Sequence, residues 1–226
     1  LICLFLILSI GVSHGSLDHL KGEKLIKILK IKNILVFYLI YISITFAVII
    51  LWTIAPSVSL IIFLVVAAYH FGKEDTQFLI IENSLFNQFL FFLKGTLVIL
   101  APLYFHFDET VSIFKLLLVD NETFYKSLNF IETNKILLIG MILSTFSSVM
   151  LFAKKFEIKK FTIFLDFFSI LILNYYFSPL LAFTFYFCFL HSVRHIITLM
   201  SELDQHNLGN GFIIFINKAC LLYTSP

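Results

Sequence analysis

Residues 34–54 read ILVFYLIYISITFAVIILWTI, a run of twenty-one residues without a charged side chain. A transmembrane α-helix needs about 20 consecutive, mostly apolar residues, because the hydrocarbon core of a bilayer is about 30 Å thick and a helix rises about 1.5 Å per residue. This stretch meets that requirement over its whole length. It therefore predicts a membrane-spanning helix, and with it the class of the fold.

Seven further apolar runs meet or approach this length, and the first and last are expected to be clipped. Proline separates two neighbouring pairs of runs, at Ala55-Pro56 and at Ser178-Pro179, because the residue before proline leaves the helical region. The sequence therefore predicts an all-α, polytopic bundle of about eight spans. The eight runs are Leu1–Leu17, Ile34–Ile54, Ser57–Phe71, Leu85–Phe105, Ile136–Ala153, Phe161–Phe177, Pro179–Met200 and Phe212–Tyr223.

The composition agrees with a membrane protein. Hydrophobic residues make up 60% of the chain and charged residues 13%, whereas soluble domains have about 25% charged residues. The formal net charge is +2 and the charges cluster in short loops, so no basic face indicates nucleic-acid binding. The three cysteines lie apart in apolar runs, without a CxxC pair, which predicts neither a disulfide framework nor a zinc knuckle.

Lysine-rich loops set the orientation. Five lysines fall within residues 21–32 and four within residues 154–160, and positively charged loops face the cytoplasm. With eight spans both loops lie on the same side, which predicts a multi-pass protein of the inner (plasma) membrane. The polar connection 106–135 then lies outside, where residues 113–119 are expected to form a short interfacial helix. Asp166, near the start of the sixth run, is expected at the membrane interface.

Four histidines fall at a similar depth on this topology. His14 and His70 lie near the inner ends of spans one and three. His191 and His195 lie in the inner half of span seven, four residues apart, so both rings project from one helix face. Any one of them alone is as well explained by a hydrogen bond to a neighbouring helix. Together they predict one metal site, because imidazole binds Zn, Cu, Fe and Ni and polar groups at membrane depth indicate function.

Two carboxylates lie close to these histidines along the chain. Asp18 is four residues after His14 and Asp75 is five residues after His70. A metal-binding imidazole usually donates its second N–H to a carboxylate or a carbonyl, so both are candidate partners of the ligands. The alternative is that they only cap or solvate helix ends. Aromatic side chains flank the histidines and are candidates for the wall of an apolar tunnel: Tyr69, Phe71, Tyr186, Phe187 and Phe189.

Three short motifs carry a resemblance to a known family. Residues 11–19 read GVSHGSLDH, residues 69–75 read YHFGKED, and residues 186–195 read YFCFLHSVRH. In this order they resemble the Brp/Blh family of bacterial and archaeal β-carotene 15,15′-dioxygenases. The resemblance covers nearly the whole chain. It implies that His14, His70, His191 and His195 are ligands of a non-haem Fe(2+).

The resemblance also implies an oxidoreductase. Its reaction is the oxygen-dependent cleavage of the central 15,15′ double bond of β-carotene into two molecules of all-trans-retinal. The implied partners are β-carotene, O2, the lipid bilayer and a microbial rhodopsin that accepts the retinal. Residues 1–226 are expected to form one membrane-embedded catalytic domain that lacks C-terminal helices of the family. Ser13 departs from the proline that family members often have before the first motif histidine.

Other classes of membrane protein fit the sequence less well, with one exception. A haem-binding cytochrome needs histidines on facing helices, for which a pair four residues apart is poorly placed. A di-iron hydroxylase needs roughly twice as many histidine ligands as the chain offers. A non-catalytic metal- or haem-binding protein accessory to a rhodopsin is the remaining alternative, and cleavage of β-carotene separates it from the enzyme.

Overall fold

The computed structural model describes residues 2–11, 18–31, 33–80, 82, 84–117, 119–154 and 157–220. Its regular elements over these ranges are all helical. The α-helices, numbered α1 to α13, are Ile2–Leu6, Asp18–Ile28, Ile34–Ile54, Pro56–Glu74, Leu85–Gly95, Leu97–Phe105, Phe107–Leu116, Glu122–Thr133, Ile136–Ala153, Phe161–Tyr176, Pro179–Phe185, Val193–Leu203 and Leu208–Cys220. Two π-helices, Ile7–Gly11 and Tyr186–Ser192, and a 3₁₀ turn, Ile158–Lys160, complete the described elements.

Five helical stretches in the described part of the chain are long and apolar enough to cross a membrane. The prediction of an all-helical membrane bundle is thereby confirmed. The sixth predicted run corresponds to the sixteen-residue helix α10. The first and last predicted runs overlap in part with the shorter helices α1 and α13. The five long stretches are Ile34–Ile54, Pro56–Glu74, Leu85–Phe105, Ile136–Ala153 and Pro179–Leu203.

Both proline breaks lie where the sequence predicts them. Pro56 occupies the first turn of α4, after Ala55 with φ −139° and ψ 65°. Pro179 likewise opens α11, after Ser178 with ψ 154°. A proline is tolerated at the first helical position because the N–H it lacks has no partner there in any helix. Helix α4 continues to Glu74, three residues beyond the predicted run. His70 therefore lies about one turn before the end of the helix.

The polar connection 106–135 differs from its prediction. The single helix expected at residues 113–119 is replaced by two helices, α7 over Phe107–Leu116 and α8 over Glu122–Thr133. Helix α7 begins early because Asp108 and Glu109 occupy its first turn, where carboxylates interact favourably with the helix dipole. Helix α8 begins at a side-chain cap, since Asn121 Oδ1 accepts a hydrogen bond of 3.0 Å from the Phe124 N–H.

The chain divides into two compact units, residues 1–50 with 187–226 and residues 51–186. In the second unit, α4 packs against α5, α5 packs against α9, and α9 packs against α6. One apolar core of this unit is formed by Leu60, Leu103, Phe114, Val119 and Leu137.

In the first unit, α12 and α13 form a helical hairpin. Leu199 and Phe215 are buried between them, and Gly211 packs against the Met200 carbonyl. The turn between the two helices is closed by Asp204, which accepts hydrogen bonds from the N–H groups of His206 and Asn207 and from the Asn210 amide. These hydrogen bonds, of which the one from the Asn210 amide has the largest effect, hold the pKa of the Asp204 carboxyl below its usual value.

Helices α4 and α5 meet at two glycines. A Cβ on Gly72 would overlap the Phe91 carbonyl oxygen, and a Cβ on Gly95 would overlap the Ala68 carbonyl oxygen. Small residues at a membrane helix crossing let the two backbones approach closely, and van der Waals contact then stabilises the pair. This crossing fixes the part of α4 that carries His70.

We expect Gly72→Val to destabilise the folded protein by at least about 2 kcal/mol, because the overlapping atom is backbone and the two helices must separate. Gly140→Val is the matched control. The nearest atoms to a Cβ there belong to the flexible Leu100 side chain, so this change should cost much less. Thermal unfolding in detergent measures both variants, and equal shifts of Tm would contradict the prediction.

Candidate functional site

The paired histidines lie where the helix type changes. His191 belongs to the π-helix Tyr186–Ser192, and His195 belongs to α12, which begins at Val193. Both side chains are buried, with 1% of the His191 surface and 7% of the His195 surface exposed. The His191 ring stacks on Phe187, with 5.8 Å between the ring centroids and 20° between the planes. Such π-helical turns are rare and occur frequently at functional sites.

A second π-helix lies just before the first motif. It spans Ile7–Gly11, and the predicted ligand His14 follows three residues later. His14 itself falls in residues 12–17, outside the described residues. The predicted partner Asp18 opens helix α2, but its side chain is also outside the described part. Both π-helices therefore accompany sequence motifs that contain predicted ligands.

The second motif, residues 69–75, lies at the C-terminal end of α4. His70 is half-buried, with its ring 5.7 Å from the ring of Phe71. Asp75 follows as the C-cap residue of α4 and is buried. Its carboxylate accepts a hydrogen bond of 2.6 Å from the Tyr186 hydroxyl. Asp75 and Tyr186 were predicted in separate roles, and the structure joins them.

An elongated cavity of about 260 Å³ lies inside the unit 51–186. One face of α4, over the twelve residues from Leu60 to Phe71, follows the cavity for about 16 Å of helix. Helices α6, α7, α10 and α11 supply the other walls, which are almost entirely apolar. Its lining includes Phe71 and Tyr186, two of the five predicted tunnel residues.

The other three predicted tunnel residues do not line this cavity. Tyr69 is exposed on α4 and donates a hydrogen bond of 2.5 Å to Gln88 Oε1. Phe189 is exposed. Phe187 contacts His191 instead. The predicted tunnel therefore corresponds to a described cavity only at Phe71 and Tyr186.

A buried ion pair crosses the interior of the unit 51–186. Asp166, which the sequence predicts at the membrane interface, is buried inside the protein, with its carboxylate 3.7 Å from the Lys94 ammonium. Two serines of α9 donate hydrogen bonds to backbone carbonyls of α5 in the same region. The Ser144 hydroxyl donates to the Lys94 carbonyl at 3.2 Å, and the Ser147 hydroxyl donates to the Leu90 carbonyl at 2.5 Å. A carboxylate at membrane depth needs a charged partner, and Lys94 meets that need.

Among the residues that the structure describes, no three His, Cys, Asp or Glu side chains form a group suited to a metal ion. The set predicted from sequence includes His14, which is not among those residues. The four-histidine site therefore stays a prediction at this point.

The fold and the site define a polytopic helical membrane protein with histidines in its apolar helices and an apolar cavity inside its bundle. The family model described as beta-carotene 15,15′-dioxygenase matches residues 5–225, so the chain belongs to the beta-carotene 15,15′-dioxygenase family. A curated relative named beta-carotene 15,15′-dioxygenase, from an uncultured marine bacterium 66A03, is 28% identical over 212 residues. The matched residues cover 93% of this chain and 73% of the relative. No solved structure gives a significant match.

Proposed function

We propose that this protein cleaves β-carotene at its central 15,15′ double bond, with O2 as the oxidant. The carbon–carbon double bond breaks, one O2 supplies two oxygen atoms, and two molecules of all-trans-retinal result. The observation that carries the proposal is the family match over residues 5–225. The apolar cavity supports it, because a pocket for a polyene hydrocarbon requires walls of this chemistry.

The proposed cofactor is Fe(2+), held by His14, His70, His191 and His195. The donor chemistry fits iron, since neutral imidazole is one of its usual protein ligands. The burial of His191 and His195 supports the assignment, because polar side chains buried at membrane depth are costly and indicate a functional site. Iron, when bound, supplies the activation of O2. Asp18 and Asp75 are the proposed hydrogen-bond partners of the ligands.

The protein's own residues are proposed to bind and position the polyene. β-Carotene dissolves in the hydrocarbon of the bilayer, which supports a membrane-embedded site. The α4 face from Leu60 to Phe71 offers an elongated apolar wall that orients a rod-shaped substrate and excludes water. Correct placement of the reacting bond supplies much of the rate enhancement in such a site. Tyr186 lines the cavity and binds Asp75, so it joins the substrate wall to the end of α4.

Tyr186→Phe is expected to lower iron retention and β-carotene cleavage by about tenfold. Loss of a residue that holds a metal ligand in place through hydrogen bonds usually costs 10- to 100-fold, and Tyr186 acts only through Asp75. The change removes the hydroxyl that donates to the buried Asp75 carboxylate. Tyr69→Phe is the matched control, because it removes a phenolic hydroxyl from α4 next to His70 while leaving Asp75 intact. Metal analysis of the purified variants, beside cleavage rates, checks the prediction. Equal iron content in both variants would contradict it.

We also propose a location and a partner. The lysine-rich segments 21–32 and 154–160 support an inner (plasma) membrane protein with these loops in the cytoplasm. Retinal is apolar and would leave into lipid, which supports a microbial rhodopsin in the same membrane as its acceptor. Residues 1–226 would form one catalytic domain.

The function is tested in cells that accumulate β-carotene. The protein is expressed with and without oxygen, and the pigments are extracted and separated by chromatography. We expect β-carotene to disappear and retinal to form only when both the protein and O2 are present. Unchanged β-carotene, with the protein verified in the membrane, would reject the enzyme and favour a non-catalytic accessory role.

A further inference from the structure

The gap between α4 and α11, two walls of the cavity in the unit 51–186, is closed at one end. There the Phe71 ring of α4 lies 5.5 Å from the Tyr186 ring and 6.2 Å from the Phe183 ring, measured between centroids. Phe71 and Tyr186 are buried, and the hydrogen bond from Tyr186 to Asp75 lies at the same end. A large molecule therefore has no passage between the two helices at this end.

Helix α7 forms another wall of the cavity and is held at both ends. At its start, the His106 Nε2 lies 2.7 Å from the Asn174 carbonyl oxygen, which joins it to α10. After its end, the Leu117 carbonyl accepts a hydrogen bond of 2.9 Å from the Trp52 Nε1, which joins it to the last turn of α3. Between these two contacts the buried Phe114 lines the cavity. Helix α7 is therefore a fixed part of the wall.

Three side chains that line the cavity are also exposed on the surface of the described structure. Phe63 of α4 is 56% exposed, Leu117 after the end of α7 is 40% exposed, and Leu180 at the start of α11 is 52% exposed. Every other side chain of the lining is buried or half-buried. A side chain that lines a cavity and is exposed marks a place where the cavity meets the surface. These three residues, one from each of three walls, therefore border what we call the lateral opening.

The surface around the lateral opening has the character of a surface that faces lipid. Phe63 lies near the middle of Pro56–Glu74, one of the stretches long and apolar enough to cross a membrane. Its neighbours Ile62 and Val66 on α4 are apolar and exposed, as is usual for side chains that contact the hydrocarbon of a bilayer. The three side chains that border the opening carry no polar atoms, so a hydrocarbon can pass between them without breaking a hydrogen bond.

A second apolar groove, of about 450 Å³, lies between α4 and α8 and is a competing route into the cavity. Its exposed border includes Val58 and Val65 of α4. Leu64 and Phe114 line both this groove and the cavity, so their side chains form the wall between the two. Because Phe114 is buried in that wall, the groove ends there. The lateral opening is the more direct passage.

We propose that the polyene substrate enters the cavity from the bilayer through the lateral opening, between Phe63, Leu117 and Leu180. The proposal rests on the proposed function and adds the route that the substrate takes. A carotene is already dissolved in the hydrocarbon of the membrane, and exposure of its apolar surface to water is unfavourable in proportion to the area. An opening on the lipid-facing surface therefore lets the substrate reach the cavity without crossing water.

The test blocks the lateral opening in the folded, full-length protein. Phe63→Cys and Leu180→Cys each place a thiol at the opening. Each purified variant is assayed for β-carotene cleavage, labelled with pyrene maleimide, a bulky apolar reagent, and assayed again, with the extent of labelling measured by mass spectrometry. We expect labelling to remove most of the cleavage activity, because the pyrene fills the opening. The same variant before labelling is the reference, and the unaltered protein treated identically corrects for its natural cysteines.

Ile62→Cys is the matched control, because Ile62 is the neighbour of Phe63, is similarly exposed at 50%, and lines neither the cavity nor the groove. Val65→Cys tests the groove. Labelling of these two variants should leave cleavage unchanged. Full cleavage by labelled Phe63→Cys and Leu180→Cys overturns the proposal, as does an equal loss in labelled Ile62→Cys. Loss only in labelled Val65→Cys assigns the route to the groove instead. If the unlabelled, unaltered protein cleaves no β-carotene, the proposed function itself is rejected.

Discussion

His191→Ala is expected to reduce retinal formation by more than about 100-fold, because changes that only touch the partners of metal ligands already cost 10- to 100-fold. His191 is almost fully buried and stacked on Phe187, so its replacement removes a proposed ligand without changing the protein surface. His195→Ala should give the same loss. Both variants should still reach the membrane. Retinal chromatography and iron analysis of the purified proteins measure the effect.

His206→Ala is the control for this experiment. His206 is exposed in the turn between α12 and α13, where its backbone N–H rather than its ring bonds to Asp204. Its replacement should leave both cleavage and iron content unchanged. Full activity of His191→Ala would exclude the proposed ligand set. Loss of activity with full iron content would retain the proposed reaction but would show that iron is bound by other residues.

Breaking the buried ion pair is expected to have the largest effect on stability. Asp166→Asn or Lys94→Met leaves one charge unpaired inside the bundle, and such changes cost about 3–5 kcal/mol. The double variant Lys94→Met/Asp166→Leu removes both charges and should recover most of that loss, since an apolar pair of similar volume often replaces a buried ion pair without penalty. Folded yield and Tm in detergent report the three outcomes.

A surface pair provides the comparison. Lys126 and Glu122 lie 2.7 Å apart on α8 with both side chains largely exposed, and exposed pairs contribute little to stability. Lys126→Met should therefore leave Tm nearly unchanged. If Lys94→Met is equally harmless, or the double variant is no better than the single ones, the ion pair does not stabilise the fold.

Local features of the chain were predictable from sequence. The span Ile34–Ile54 was predicted with its observed bounds because its length and apolar character alone determine it. The breaks at Pro56 and Pro179 were predicted because proline acts on its own neighbours. The family was predicted because its motifs are short and contiguous. In each case the deciding residues are adjacent along the chain.

Long-range partners were not predictable in this way. The Tyr186–Asp75 hydrogen bond joins residues 111 positions apart, and nothing near either residue signals the other. The ion pair of Asp166 was not predicted, because its partner Lys94 lies in a different span. The π-helix Tyr186–Ser192 also left no recognisable mark, since its sequence resembles that of any apolar helix. Pairing across helices, rather than helix formation, is what the sequence alone did not reveal.

The ion pair between α5 and α10 also bears on how the chain is made. Lys94 leaves the ribosome about seventy residues before Asp166, which at 5–20 residues per second corresponds to roughly 4–14 s of synthesis. During that interval the Lys94 ammonium lacks the Asp166 carboxylate that it pairs with in the folded protein. Because an unpaired charge in lipid is costly, we expect the α4 and α5 pair to stay at the translocon, or next to water, until α10 is made. Assembly of this bundle thus depends on the order in which its helices are released into lipid.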